Sequence, residues 1–278
     1  MRTFCCRWAL ALVVMAGFLG SLVEQTSADE PVQPADSAQQ VRDLARRYQF
    51  FTDPEHTTRL ELSPKSLLTY SNPVRGDVFG NLFVWTHDGR PEVIGAIFDY
   101  RTQGHFDSEL HALARGGIAG ERDGVPFWNP RAPGVTFQPI PDAPAPADKG
   151  LARGRQMIEL ARSFTVERQH PEQGKGEMRL LPQPIYRYTS PGAKVLDGAM
   201  FVFVEATDPE AVLLLEAVGD EPKWHFAFAR MNIVPFRVVR RGEEVWHVDD
   251  VTWDDVFDKQ LPYAIVREKP SRGLTRTR

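Results

Sequence analysis

The chain has 278 residues, of which 42% are hydrophobic and 25% carry a charge. A chain of this length buries enough surface to form a substantial core without cross-links. Its 33 Lys and Arg residues and 37 Asp and Glu residues give a net charge of −4. This balance offers no basic field for a phosphate backbone, so we expect no nucleic-acid partner.

The N-terminal 28 residues are organised like a secretory signal peptide. A short basic segment, 1–7, precedes 16 uncharged residues, 8–23, and small residues lead to a cleavage site after Ala28. The uncharged run is shorter than the about 20 apolar residues of a membrane-spanning helix. We therefore predict export to the periplasm or the extracellular space, with no transmembrane segment in the mature chain.

Cleavage after Ala28 would remove both cysteines of the chain, Cys5 and Cys6. The mature chain is therefore predicted to be cysteine-free, with no disulfide and no cysteine-based metal site.

Residues 29–138 are predicted to form a first unit, in which one helix precedes a series of strands. Ser37 and Gln40 form a capping-box pair that places the start of the helix near Ala38. The apolar face of this helix has the spacing i, i+3, i+4, i+7: Val41, Leu44, Ala45 and Tyr48. Five strand-like segments follow, at 59–62, 66–71, 80–86, 92–100 and 106–112. Asp88-Gly89 lies between two of them and is typical of a hairpin turn.

A second unit is predicted at 149–268, after a Pro/Ala-rich linker at 139–148. Its helix is predicted over 149–166, with this apolar face: Met157, Leu160, Ala161 and Phe164. A loop at 169–176 precedes further strand-like segments at 178–188, 198–206, 211–218, 223–231, 236–240, 244–248 and 262–267. Residues 269–278 are predicted to be a basic flexible tail.

The two units match each other in sequence. The helical faces superpose at an offset of 116 residues and the strands at an offset of 118. Over 64–92 the strand alignment gives 8 identities in 29 positions, including Tyr70 with Tyr188 and Gly80 with Gly198. We therefore predict an internal repeat and an α+β fold of two tandem repeats, each an amphipathic helix packed on an antiparallel β-meander. By analogy this arrangement is similar to cystatin-like and NTF2-like folds.

Several segments resemble a group of exported bacterial proteins of uncharacterised function. They include "RLLPQPIYRY" from Arg179, "DGAMFVFVEATDPEAVLLLEA" from Asp197, "WHFAFARM" and "EEVW". In the first half the resemblance rests on "SNPVRG", "DGRPEVIG" and "ELHALA". It implies export and a shared fold, and it brings no known activity and no site residues.

Known catalytic and cofactor motifs are missing from the mature sequence, so no cofactor is indicated. The best candidate for a metal site is the segment "HFDSELH". On a strand, its alternate side chains share one face: His105, Asp107, Glu109 and His111. Two imidazoles and two carboxylates are ligands that Zn²⁺ accepts. The alternative is a polar strand face opposite Phe106 and Leu110, and residues about 6.8 Å apart along one strand cannot all reach one ion.

Two further candidates are weaker. Trp253 and Phe257 are flanked by acids that could take Ca²⁺, although the spacing is not that of an EF-hand: Asp249, Asp250, Asp254, Asp255 and Asp258. Aromatic and basic residues could form a groove for a sugar or a peptide: Trp128, Tyr186, Arg187 and Arg230.

Two functions are compatible with these patterns. The first is an exported non-catalytic binding or scaffolding protein of the cell envelope, whose partner is an envelope protein, a peptide or a glycan. The second is a metal-assisted hydrolase that uses the strand face of His105 and Glu109. The sequence favours the first, because it contains no recognisable nucleophile or metal signature.

Overall fold

The computed structural model describes residues 35–53, 55–72, 77–170 and 174–268. The predicted signal peptide at 1–28 and the predicted tail at 269–278 lie outside these residues. The described part has two α-helices, α1 (Ala35–Arg47) and α2 (Gly150–Ala161), and one 3-10 turn at Asp255–Phe257. No helix in it is long and apolar enough to cross a membrane.

Eighteen strands are numbered in chain order: β1 Tyr48–Phe51, β2 Glu61–Leu62, β3 Leu68–Asn72, β4 Val78–His87, β5 Arg90–Tyr100, β6 His105–Ala112, β7 Ala119–Arg122, β8 Val125–Trp128, β9 Gln138–Pro139, β10 Phe164–His170, β11 Gly174–Leu180, β12 Tyr186–Ser190, β13 Val195–Glu205, β14 Asp208–Val218, β15 Lys223–Arg230, β16 Phe236–Arg240, β17 Glu243–Val248 and β18 Tyr263–Glu268.

These strands form three sheets. The first sheet has the order β18-β6-β5-β4-β2, and β3 also pairs with β4. The second sheet has the order β17-β16-β10-β11-β13-β14-β15-β9, and β12 also pairs with β13. A small sheet contains β1, β7 and β8. β18 forms one edge of the first sheet and β9 one edge of the second, and each is distant in the chain from the strand that it pairs with.

The predicted fold class is wrong. Strands make up 52% of the described residues and helices 12%, so the structure is mostly β and is not a pair of helix-on-meander repeats. Tyr48 and Phe164, the last members of the predicted helical faces, are the first residues of β1 and β10. An apolar residue at i+7 fits the end of a helical face and the inward position of a strand equally well. Both residues are in strands because their segments pair with other strands of the sheets.

Two predicted irregular segments also belong to sheets. Residues on both sides of 171–173 pair as the hairpin β10–β11 where a loop was predicted at 169–176. In the predicted linker, Pro139 pairs with His225 of β15, and Ile140 is buried in the core against α2. A segment that contributes a strand partner and a core residue is not a spacer between units.

The two large sheets face each other across a shared apolar layer, and each has a helix on its outer side. Leu82 and Val84 of β4 lie in the layer between the sheets, with Met200 and Val202 of β13. The alternate side chains of these strands point outward, where α1 covers the first sheet and α2 the second. Strands buried on both faces have continuous apolar sequences, which accounts for runs such as "MFVFV" in β13.

One buried network of charges crosses the layer between the sheets. Arg90 of β5 donates from Nε to Glu216 of β14 at 2.9 Å and from Nη1 to Glu92 at 2.9 Å. The Tyr188 hydroxyl donates to the same Glu216 oxygen at 2.9 Å, and Arg115 bonds the other oxygen. Glu216 is completely buried. The network ties the two sheets at a defined position.

Strand pairing follows the sequence match at an offset of 118 residues. β5 and β14 have equivalent bounds at this offset, and so do β6 and β15. Tyr70 lies opposite Gly80 in the first sheet, as Tyr188 lies opposite Gly198 in the second. These are equivalent positions in two sheets, and a duplication as their origin stays a prediction.

Candidate ligand-binding cleft

Strand β6 presents its polar residues to the layer between the sheets. His105, Asp107 and His111 are buried, with 7%, 4% and 5% of their surface exposed. The opposite face of β6 carries Phe106 and Leu110 into the core beneath α1. The predicted alternation is therefore present, but the polar face is covered by the second sheet rather than by solvent.

Asp107 is held by two neighbours. Arg267 of β18 donates from Nε and Nη2 to its two carboxylate oxygens, both at 2.8 Å. His105 Nε2 lies 3.2 Å from Asp107 Oδ2. The side-by-side pairing of β18 with β6 places Arg267 opposite Asp107, which makes this bidentate contact possible.

His111 is neutral at neutral pH. Burial lowers its pKa from 6.5 to about 4, and the nearby charge of Arg230 contributes in the same direction. Its Nδ1 lies 2.8 Å from the carbonyl oxygen of Ala112, an acceptor, so Nδ1 carries the proton. Nε2 then keeps its lone pair, and His111 presents a hydrogen-bond acceptor.

These four residues do not converge on one point. Among the described residues, no group of three or more His, Cys, Asp or Glu side chains is arranged to hold a metal ion. The acids around Trp253 form no such group either. One of them, Asp255, accepts a hydrogen bond from Thr252 at 2.7 Å. On β6 the reason is the spacing of the residues. Side chains at alternate positions of a strand lie about 6.8 Å apart, so the four cannot all reach one ion.

The residues of the predicted aromatic and basic groove are spread over the molecule. Trp128 is buried beneath α1 and donates from Nε1 to the Leu261 carbonyl at 2.8 Å. Tyr186 donates to the carbonyl of Gly89 at 3.0 Å. Arg187 pairs with Asp197 beside α2. Arg230 is the member that lines a cavity, and it does so together with His111.

The cavity of Arg230 and His111, here called the cleft, has a volume of about 750 Å³. It opens between β6 and β18 of the first sheet and β15 and β17 of the second. The side chains that matter for its chemistry are these: His111, Val135, Phe228, Arg230, Trp246 and Tyr263. This volume lies within the range of about 300–1,000 Å³ that is usual for small-molecule sites.

Arg230 is fixed in the wall of the cleft. Its Nε donates to the Asn232 carbonyl at 2.8 Å, and its Nη2 donates to the carbonyls of Ile233 and Val234 at 3.0 and 2.6 Å. No hydrogen bond to a described residue uses Nη1. Its guanidinium carbon lies 5.7 Å from the centre of the Tyr263 ring, a cation–π contact. The side chain is 4% exposed, and burial lowers its pKa.

Aromatic rings form the apolar walls. Trp246 of β17 stacks on Phe228 of β15, with ring centres 5.5 Å apart and planes at 29°. Tyr263 lies 6.0 Å from the His111 ring. Burial and the nearby Glu109 carboxylate raise the pKa of Tyr263 well above its ordinary value, so its phenol keeps the proton. The cleft thus combines apolar walls with a fixed cation and neutral polar groups, and the Glu244 carboxylate lies at its rim.

Trp246, Tyr263 and Phe228 were not among the predicted site residues. They come from three different strands, β15, β17 and β18, and their identities as core-type aromatic residues gave no signal of a shared cavity. A pattern that joins β6 with β18 was absent from the sequence, because that pairing links residues about 150 positions apart.

No protein-family model, curated protein or solved structure matches this chain. The resemblance to exported bacterial proteins of uncharacterised function therefore stays a prediction.

Proposed function

We propose that this chain is an exported, non-catalytic protein that binds a small organic anion in the cleft. The acidic group of the ligand lies at Arg230, and its apolar body lies against Trp246 and Phe228. Export rests on the predicted signal peptide. The predicted alternatives for a partner, an envelope protein, a peptide or a glycan, stay predictions.

The observation that carries this proposal is the buried guanidinium of Arg230 on an otherwise largely apolar wall. Three backbone carbonyls already hold Nε and Nη2, so the side chain cannot swing away. Carbonyl oxygens bear no formal charge, so the counter-charge of Arg230 comes from carboxylates that act on it electrostatically, those of Asp250, Asp249 and Glu109. A ligand carboxylate supplies a directly bonded counter-charge and an acceptor for Nη1.

The remaining lining sets the preference for an anion over a cation. His111 is neutral and adds no charge. Glu244 lies at the rim, where Arg237 Nε bonds it at 2.6 Å and His247 Nδ1 lies 3.0 Å away. Its carboxylate thus bonds Arg237, which lies outside the cleft lining, and contacts His247, which is part of that lining. Arg230 is the buried charge that a ligand meets.

Isothermal titration calorimetry with two probes of equal shape tests the proposal. 1-Naphthoate and 1-naphthalenemethanol share a ring system and differ in the carboxylate. A hydrogen bond to a charged group contributes about 1.5–3 kcal/mol, so naphthoate should bind the full chain at least about tenfold more tightly. Equal affinities would contradict an anion site.

Two variants and a control assign the binding to the cleft. Arg230→Gln should abolish the preference for naphthoate, and Trp246→Ala should weaken both probes. Arg162→Gln removes an exposed arginine that pairs with Glu159 and does not line the cleft, and it should change neither affinity. An Arg230→Gln protein that melts like the parent and still prefers naphthoate would rule out the proposed role of Arg230.

A further inference from the structure

The cleft continues into a neighbouring cavity, and the two together are here called the seam. The second cavity has a volume of about 550 Å³ and is lined by Phe226 and Ile140 among others. Gln138 and Val245 line both cavities, so the two volumes meet at these residues. Gln138 is exposed, and its Nε2 donates across the seam to the Val245 carbonyl at 3.3 Å. A bridge made by one exposed side chain can be displaced by a ligand.

The seam lies between two strands that run in the same direction. Six antiparallel pairings lead from β15 to β17 through the second sheet, and an even number restores the direction of β15. Phe226 of β15 lines the second cavity and Arg230 lines the cleft. Because these residues are four positions apart on a strand, their Cα atoms are separated by about 14 Å. The seam is therefore long enough for about four residues of an extended chain.

One wall of the seam offers backbone groups that can bind an added strand. Within the described ranges, β17 pairs with β16 on one side and with no strand on the other. The open edge faces the seam, because Gln138 of the opposite wall reaches the Val245 carbonyl. An edge strand presents unpaired N–H and C=O groups, and an extended peptide pairs with such groups by strand addition.

The apolar floor of the seam has the spacing of an extended peptide. The rings of Phe226 and Phe228 belong to the same core face of β15, and their centres are 6.1 Å apart. Side chains at alternate positions of an extended chain lie about 6.8 Å apart. Two apolar side chains of one peptide can therefore pack at the two rings.

Charge distinguishes the two ends of the seam. In the second cavity, Asp142 accepts from Arg240 at 2.7 Å and also pairs with Arg241, and Glu243 is exposed. In the cleft, the hydrogen bonds of Arg230 go to backbone carbonyls, so its guanidinium can bond a ligand carboxylate directly. A free carboxylate is therefore expected at the Arg230 end of a bound chain.

We propose, resting on the proposed function, that the anion bound at Arg230 is the C-terminal carboxylate of an extended peptide. The last side chain of the peptide occupies the apolar part of the cleft. The three preceding residues lie along β17 and extend towards Phe226, so the peptide runs in the same direction as β17. Main-chain hydrogen bonds to β17 provide affinity for the chain, and the carboxylate fixes its end.

Isothermal titration calorimetry on the full chain tests this assignment with three probes. They are N-acetylphenylalanine, the tetrapeptide N-acetyl-Ala-Val-Ala-Phe with a free carboxylate, and the same tetrapeptide as its C-terminal amide. The free tetrapeptide should bind at least about tenfold more tightly than N-acetylphenylalanine, because it adds main-chain hydrogen bonds and apolar contacts. It should exceed the amide by at least about tenfold as well, because the amide lacks the charge.

The possible failures are distinguishable. Equal affinities of the free tetrapeptide and N-acetylphenylalanine would overturn the peptide assignment and leave the anion site standing. Equal affinities of the free tetrapeptide and its amide would overturn the placement of a C-terminus at Arg230. Absence of binding by N-acetylphenylalanine, the tetrapeptide and 1-naphthoate would remove the proposed function and the peptide assignment together.

Amide hydrogen exchange and one variant locate the chain in the seam. Saturation with the free tetrapeptide should slow exchange in β17, and saturation with N-acetylphenylalanine should slow it less. Gln138→Trp places a bulky ring between the two cavities and should reduce the tenfold preference for the tetrapeptide to about one. Arg162→Gln, which lines neither cavity, is the control and should keep the preference. A Gln138→Trp protein that melts like the parent and keeps the full preference would refute binding along the seam.

Discussion

The ring of Tyr70 lies so close over Gly80 that a Cβ atom added to Gly80 would be 2.4 Å from Tyr70 Cζ. Tyr188 covers Gly198 in the same way, with a corresponding distance of 2.6 Å to Tyr188 Cε2. Both tyrosines are buried in the layer between the sheets. Each glycine is therefore required by the close approach of a ring, and the two contacts occupy equivalent positions.

This relationship predicts equal costs for two substitutions. Gly80→Ala and Gly198→Ala should each lower the free energy of unfolding by about 1–3 kcal/mol, because overpacking a core displaces side chains. Gly116→Ala is the control, since a Cβ there meets nothing within 4 Å. Urea denaturation measures all three. A cost at one glycine alone would weigh against the predicted internal repeat.

Glu216 is the centre of the network that joins the sheets. Glu216→Gln removes the charge that faces Arg90 and should cost about 3–5 kcal/mol, because it leaves a buried guanidinium poorly compensated. Asp220→Asn removes a carboxylate of an exposed pair with Lys194 and should cost less than about 1 kcal/mol. Chemical denaturation measures both. A cost for Glu216→Gln no greater than for Asp220→Asn would show that the buried network does not stabilise the fold.

His111 should make stability depend on pH. Its pKa is about 4 in the folded chain and about 6.5 when unfolded. Above pH 6.5 His111 is neutral in both the folded and the unfolded state, so it does not lower the free energy of unfolding. Between pH 6.5 and pH 4 only the unfolded state binds the proton, so the free energy of unfolding falls as the pH falls. The loss approaches about 3 kcal/mol near pH 4.

The dependence on His111 is isolated by comparison with His111→Gln, because carboxylates titrate in part of the same range. The difference in the free energy of unfolding between the two proteins should change between pH 6.5 and pH 4. It should be constant above pH 7, where neither state of His111 is charged. A difference that is flat over the whole range would place His111 in a solvated environment.

Leu160 lies on the buried face of α2 and packs in the core of the second sheet. Leu160→Asp should destabilise the chain by several kcal/mol, because an unpaired carboxylate would be buried. Glu159→Ala, at an adjacent exposed position of the same helix, should change stability by less than about 0.5 kcal/mol. Thermal melting followed by circular dichroism distinguishes them.

Local patterns predicted the local structure well. The apolar spacing of α1 and α2 identified faces that are buried, and Asp88-Gly89 forms the predicted turn with both residues at positive φ, 47° and 76°. The fold class was missed because sheet membership depends on partners far along the chain. Ile140, placed in a linker by its neighbouring prolines, is a core residue because β9 pairs with β15.

The candidate site was only partly predictable for the same reason. His111 and Arg230 were each named from local patterns, for a metal site and a groove respectively. Their shared position in the cleft depends on the sheets facing each other, which no local period encodes. Trp246 and Tyr263 complete the cleft. The sequence predicted the strands that carry them, but it did not indicate which other strands lie beside these.

The pairing of β18 with β6 imposes an order on the completion of the fold. Ribosomes deliver residues from the N-terminus, so β6 has been synthesised long before its outer neighbour at 263–268 exists. During that interval the first sheet would present an open edge, which is a template for association with other chains. A chain kept unfolded until its last strand is available, as in export before folding, never presents that edge in a folded sheet.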